Sequence, residues 1–212
     1  MPQTGRVISS YVAAHPEMSR EQVLALAGAL WAKPVHERRA AAVFLLERHP
    51  DLIAPRDLRL IERLVRESRT WALVDPLAVN VLGGIIVRFP RSAARLNRWS
   101  RDEDFWVRRA ALLAWIRPLK EGQRTDRFLR YADDMLGERE FFIRKAIGWV
   151  LREMGKERPG EVVHWLETRT DRVSGVTIRE ALKYVGEADR ERLMAAYEAR
   201  RQAVRTVTRP SR

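Results

Sequence analysis

The chain has 212 residues, no cysteine, and a formal net charge of +12 with a pI near 11.0. That length suffices for one substantial core or a short array of repeats. The lack of cysteine excludes disulfides, thiolate zinc sites and cysteine nucleophiles, while the charge points to an anionic partner, most often nucleic acid.

In chain order, the opening MPQTGRVISS has no apolar region of the kind a signal peptide needs. Helix starts follow at Ser19 before REQVLALAGALW, at Pro55 before RDLRLIERLVRE and at Pro159 before GEVVHWLE. The run LAVNVLGGIIV (77–87) is apolar but too short to span a bilayer. Strand-like alternation is nearly absent, and the connections are short and marked by Pro or Gly. No long linker divides the chain, so residues 1–199 are expected to form one helical domain. The stretch RRQAVRTVTRPSR (200–212) holds five arginines and no acid, and is expected to be a basic, disordered tail. It accounts for five of the twelve excess charges, so the folded body is itself basic.

The helices repeat. Arg38-Arg39-Ala40, Arg108-Arg109-Ala110, Arg144-Lys145-Ala146 and Arg179-Glu180-Ala181 carry related triplets. Ala40 and Ala110 are separated by twice the interval of the later copies, so a further unit belongs near Asp75, within TWALVDPLAVNVLGGII. A period of about 35 residues is that of a helix-pair solenoid. The expected fold is therefore all-α, a right-handed solenoid of about five to six HEAT-like helix pairs with a concave basic groove. Ala40, Asp75, Ala110, Ala146 and Ala181 should then occupy equivalent places on successive inner helices.

Two features stand out against this pattern. FFIRKAIGWVLRE (141–153) carries an apolar stripe of Ile143, Ile147, Val150, Leu151 and Met154, and an opposite stripe of Lys145, Trp149 and Arg152. An indole between two cations on the watered face invites a ligand, although a surface cation–π cluster would look the same. Asp75 is an acid in a register that is otherwise Ala beside cations. Locally, Asp75-Pro76 reads as a helix N-cap followed by Pro at the first helical position. Trp71, four residues earlier, shares its face only if the helix runs unbroken through Pro76; taken alone, Trp71 reads as a core aromatic. Arg108 and Arg109 on the apolar helix FWVRRAALLAWI suit either phosphate contact or pairing with buried acids such as Asp102 or Asp104. The four histidines, His15, His36, His49 and His164, have no metal spacing, Gly83-Gly84 is no phosphate loop, and no nucleophile elbow occurs.

TWALVDPLAVNVLG, FWVRRAALL and above all FFIRKAIGWVLRE resemble the bacterial DNA alkylation repair proteins of the AlkD type, which are HEAT-like-repeat DNA glycosylases. The resemblance runs from about Leu30-Trp31 to Tyr184. It implies that Trp71, Asp75 and Trp149 are catalytic, and that the protein binds duplex DNA and releases N3- and N7-alkylated purines without metal, cofactor or base flipping. Arg109 matches the family's functional arginine; with Arg108, Arg144, Lys145 and Arg152 it is expected to contact DNA phosphates. The helical segment with which that family usually opens, ahead of the Leu-Trp helix, has no expected counterpart here. The partner expected is double-stranded DNA carrying alkylated purines, bound by a monomer in the cytoplasm, with no membrane involved. Two other readings stay open: a non-catalytic relative binding DNA or structured RNA in the same groove, and a scaffold for an acidic protein. Asp75 favours catalysis, since a carboxylate repels phosphate and a pure binder has no use for it.

Overall fold

Residues 2–123 and 126–207 are described by a computed structural model, and among them every regular element is helical. The helices fall into two compact units, Met1–Gln123 and Arg124–Arg212.

The first unit begins with α1 (Pro2–Ala14), α2 (Arg20–Trp31) and α3 (His36–Arg48). Ser19 caps α2 as expected: its hydroxyl accepts from the Gln22 amide, and the Gln22 side chain accepts from the Ser19 amide. Pro55 opens a 3-10 turn that leads into α4 (Leu58–Ser68). Next come α5 (Trp71–Pro76), a π-helical turn (Leu77–Leu82) and α6 (Gly83–Arg88), which run on as one helix, Trp71–Arg88. This 18-residue stretch is apolar enough to cross a membrane, but 61% of it is buried inside the fold, as in a core helix. The unit closes with α7 (Leu96–Trp99), α8 (Phe105–Leu113) and α9 (Ile116–Lys120). As FWVRRAALL suggests, α8 is buried nearly all round, at Trp106, Val107, Arg109, Ala110, Ala111, Leu112 and Leu113. It packs against α4, α5 and α7.

The second unit holds α10 (Asp126–Asp134), α11 (Phe141–Gly155), α12 (Pro159–Glu167), α13 (Gly175–Ala181) and α14 (Glu187–Val207). Here α11 packs against α12 and α13, and α12 against α14. Residues 200–207, expected as the start of a disordered tail, continue α14; residues 208–212 of that tail lie outside the described residues.

The 35-residue period is visible as bonding. Side chains of one repeat bind the next at nearly constant separation: Arg20 to Asp57, Trp31 to Glu67, Arg66 to Asp102, Arg88 to the Ile53 carbonyl and Gln123 to the Val87 carbonyl in the first unit. Lys145 to Glu180 and Arg169 to Asp133 do the same in the second. Ala40, Asp75 and Ala110 in the first unit and Ala146 and Ala181 in the second are all buried.

Candidate active site

In the first unit, α4 ends on Arg69, whose left-handed backbone (φ 50°) breaks the helix. Thr70 then starts α5, its hydroxyl accepting from the Ala72 amide. Asp75 is therefore not the cap that its Pro neighbour suggests. The helix begins five residues earlier and continues past Pro76, which cannot donate to the preceding turn. Just after Pro76 the Leu77 amide still binds the Leu73 carbonyl four residues back, and the helix then widens into the π turn, where the Gly83 amide reaches back five residues to Ala78. Trp71 and Asp75 consequently sit one turn apart on a single helix. Trp71 is 55% exposed, so it is not the core aromatic that a lone Trp suggests.

Asp75 is 9% exposed and Arg109, on the next repeat, 3%. Arg109 Nε donates to Asp75 Oδ1 at 2.8 Å and Nη2 to Oδ2 at 2.7 Å, a two-pronged ion pair. Arg109 is thus a partner of a buried acid rather than the exposed phosphate contact expected, and the acid is Asp75, not Asp102 or Asp104. Burial pushes the Asp75 carboxyl above its ordinary value, and the Arg109 hydrogen bonds and charge pull it part of the way back. The pairing also resolves the oddity of an acid on a basic surface. Neutralised by Arg109, the carboxylate repels an approaching phosphate far less than it would alone. Arg108 is turned toward the loop before α8, with Nη1 donating to the carbonyls of Asp102 (2.5 Å) and Glu103 (2.9 Å).

In the second unit, α11 has the two expected stripes. Ile143, Ile147, Val150, Leu151 and Met154 are buried, while Lys145, Trp149 and Arg152 are half-buried. The Arg152 guanidinium lies 5.9 Å from the centre of the Trp149 ring. Sequence reasoning missed the group that organises this face. Glu180, only 4% exposed on α13, accepts hydrogen bonds from Lys145, from Arg152 and from Lys183 (3.1 and 3.2 Å). Burial acts to raise the Glu180 carboxyl, but these three cations outweigh it and hold it below its ordinary value. A signal was present: Glu180 stands in the register of Lys145, one period later, which is where complementary charge meets across neighbouring repeats. Gly148 makes the approach possible. A Cβ there would come within 2.7 Å of Glu180 Cβ and 2.9 Å of the Thr177 carbonyl. Arg144 lies elsewhere on α11: its Nε donates to the Glu138 carbonyl at 2.6 Å, and its own carbonyl accepts from the Thr177 hydroxyl at 3.0 Å.

Solved structures share this fold. A predicted DNA alkylation repair enzyme from Enterococcus faecalis superposes with a TM-score of 0.78 at 22% identity, over 88% of this chain and 86% of that one. AlkD2 from Streptococcus mutans superposes at 0.65 and 16% identity, over 87% and 89% of the two chains. The smu.31 protein of Streptococcus mutans UA159 gives 0.62 and 16%, over 87% and 98%. No curated protein matches the sequence. Residues 1–185 match the family model described as DNA alkylation repair enzyme, so a chain that joins a buried, arginine-held carboxylate to an exposed indole belongs to the DNA alkylation repair enzyme family.

Proposed function

We propose that this protein is a DNA glycosylase that releases N3- and N7-alkylated purines from duplex DNA as the first step of base excision repair. It would act as a monomer in the cytoplasm, without metal or cofactor. The observation that carries the reading is Asp75: a carboxylate held by two hydrogen bonds from Arg109, one helical turn after an exposed tryptophan.

An N7-alkylpurine is already cationic, so the bond between sugar C1′ and base nitrogen breaks with the electron pair leaving on the base, which departs neutral and needs no general acid. The positive charge moves to the sugar. In this reading the Asp75 carboxylate, fixed by Arg109, stabilises that sugar cation and orients the water that attacks C1′. The face of Trp71 contacts the cationic nucleotide, and Trp149 offers a second indole face to the DNA. Lys145 and Arg152, held by Glu180, provide the positive field for the phosphates on either side of the lesion.

Incubation with methylated duplex DNA and chromatography of the released bases tests the proposal. N3-methyladenine or N7-methylguanine should appear with the wild-type protein and fall sharply with Asp75→Asn. Duplex binding without release of any alkylpurine would sink the enzymatic reading and favour a binding-only relative.

A further inference from the structure

Within the second unit, a cavity of about 380 Å³ is lined by Arg144, Arg172, Arg179 and Arg201, together with Ser174 and Tyr197. Among the described residues no carboxylate lines it, and none of the four guanidinium groups lies within ion-pair distance of an acid. The hydrogen-bond partners of two of them are neutral. Arg144 Nε donates to the Glu138 carbonyl at 2.6 Å, and Arg201 Nη1 donates to the Tyr197 hydroxyl at 3.2 Å.

Other arginine-lined hollows of the molecule carry acids in their walls, and several arginines elsewhere are paired. Arg66, Arg98, Arg109, Arg152, Arg169 and Arg192 each bind a carboxylate. The arginine-lined hollow of the first unit, at Arg66, Arg98 and Arg101, includes Asp102 and Glu103 in its walls. Four like charges around one space repel one another, and an anion seated among them removes that cost. The guanidinium fork matches the oxygens of a phosphate better than it matches chloride. Tyr197 is buried, which fixes its hydroxyl at the cavity wall as a further donor.

Gly175 keeps the space open. A Cβ at this position would come within 2.8 Å of the Tyr197 hydroxyl and 3.0 Å of Arg179 Nη1. Any larger residue would intrude on the two groups that face the ligand.

We propose that this cavity is a phosphate-binding site, distinct from the residues assigned to excision, that takes a phosphate group between Arg172, Arg179 and Arg201. A backbone phosphate of a bound duplex and a free phosphate ion share this chemistry. The first source rests on the function proposed above, and the second does not.

Full-length wild-type protein, the double variant Arg172→Gln/Arg179→Gln, and Gly175→Ala separate the possibilities. Thermal melting is followed in sodium phosphate against sodium chloride of equal ionic strength. Binding of an undamaged duplex is followed against salt concentration. The site predicts a phosphate-specific rise in the melting temperature of the wild type that both variants lose. A simultaneous drop of about one in the salt slope of duplex binding identifies a strand phosphate as the occupant. An unchanged slope with the lost phosphate response identifies free phosphate. Gly175→Ala keeps every charge, so a Gly175→Ala protein that responds like the wild type in both assays overturns the cavity in favour of diffuse charge. No phosphate-specific rise in the wild type and an unchanged slope in both variants also overturns it. Neither assay reads excision, so failure here is distinct from failure of the glycosylase reading.

Discussion

Arg109 grips Asp75 across the boundary between successive repeats, with both oxygens of the carboxylate engaged at 2.8 and 2.7 Å. The carboxylate is thereby fixed in position and charge before any DNA arrives, which is the preorganisation that electrostatic stabilisation of a cation demands. The same grip makes the two residues testable separately.

Asp75→Asn removes the charge and keeps the size. Excision should fall about a hundredfold or more, the scale of losing roughly 3 kcal/mol of electrostatic stabilisation. Thermal stability should also fall, by up to about 3 kcal/mol, because Arg109 is left buried without its counter-charge. Single-turnover release of alkylpurine and a melting curve check the two halves. Since Thr70 rather than Asp75 caps the helix, loss of a cap offers no alternative explanation.

Arg109→Gln leaves Asp75 buried with no cation. Its carboxyl should titrate higher still, so excision lost at neutral pH should partly return as pH is raised. Stability should drop by about 3 kcal/mol at neutral pH, and by less in acid, where Asp75 is protonated. The salt slope for undamaged duplex should stay at the wild-type value because Arg109 is buried; a slope lowered by one would return it to the phosphate contacts.

The wild-type pH profile carries a signed expectation. In the mechanism proposed above Asp75 acts ionised, and its folded value lies above the ordinary 3.8, so the acid limb of kcat/KM should fall at a higher pH than an ordinary aspartate would give. The stability contribution of a raised carboxyl is fully present below the unfolded value and is lost as pH rises through the folded one. Wild type should therefore lose stability relative to Asp75→Asn across that interval, a comparison made by melting both proteins at matched pH.

Glu180→Gln releases Lys145, Arg152 and Lys183 from their shared partner. Undamaged duplex should bind more tightly, with a steeper salt dependence, because the cations that Glu180 neutralises become available to phosphates. The folded protein should lose about 2 kcal/mol, a figure reduced by the partial exposure of the three cations. Glu180 has a lowered carboxyl value, so that stabilisation is present above its unfolded value near 4.5 and disappears as pH falls through the folded one. Fluorescence-detected binding and urea unfolding at two pH values measure both effects.

Gly148→Ala places a methyl against Glu180 and the Thr177 carbonyl, where no flexible end can give way. Separating α11 from α13 should cost about 1–3 kcal/mol in chemical denaturation. It should also weaken the hold of Glu180 on Lys145 and Arg152, so the variant should show part of the binding phenotype of Glu180→Gln.

The repeat period and the apolar faces of α8 and α11 were legible because each leaves a periodic trace. The environment of Asp75 was not. Asp-Pro has the same local chemistry whether it opens a helix or sits inside one, and only the packing around the widened turn after Pro76 decides between them. Arg109 and Glu180 were obscure for a related reason. Each binds a residue about 35 positions away, so its partner follows from the register of neighbouring repeats rather than from its own segment. Triplets aligned only for likeness conceal such pairs, which depend on opposite charge at matching places.

The widened turn at Leu77–Leu82 also sets the phase of the helix that follows. Each residue in a π turn advances the helix less than it does in an α turn, so Gly83 and Gly84 arrive rotated relative to where a regular helix would leave them. In that orientation Gly83 meets the Ala114 carbonyl and Arg117 Cβ, each 3.0 Å from the place a Cβ would occupy. Deleting one residue from the turn would regularise the hydrogen bonds and at the same time swing the glycines away, presenting a bulkier side chain to the neighbouring repeat. An irregularity that looks like a local fault is therefore locked by its far end, and the helix that carries Asp75 cannot lose or gain a residue there without losing that fit.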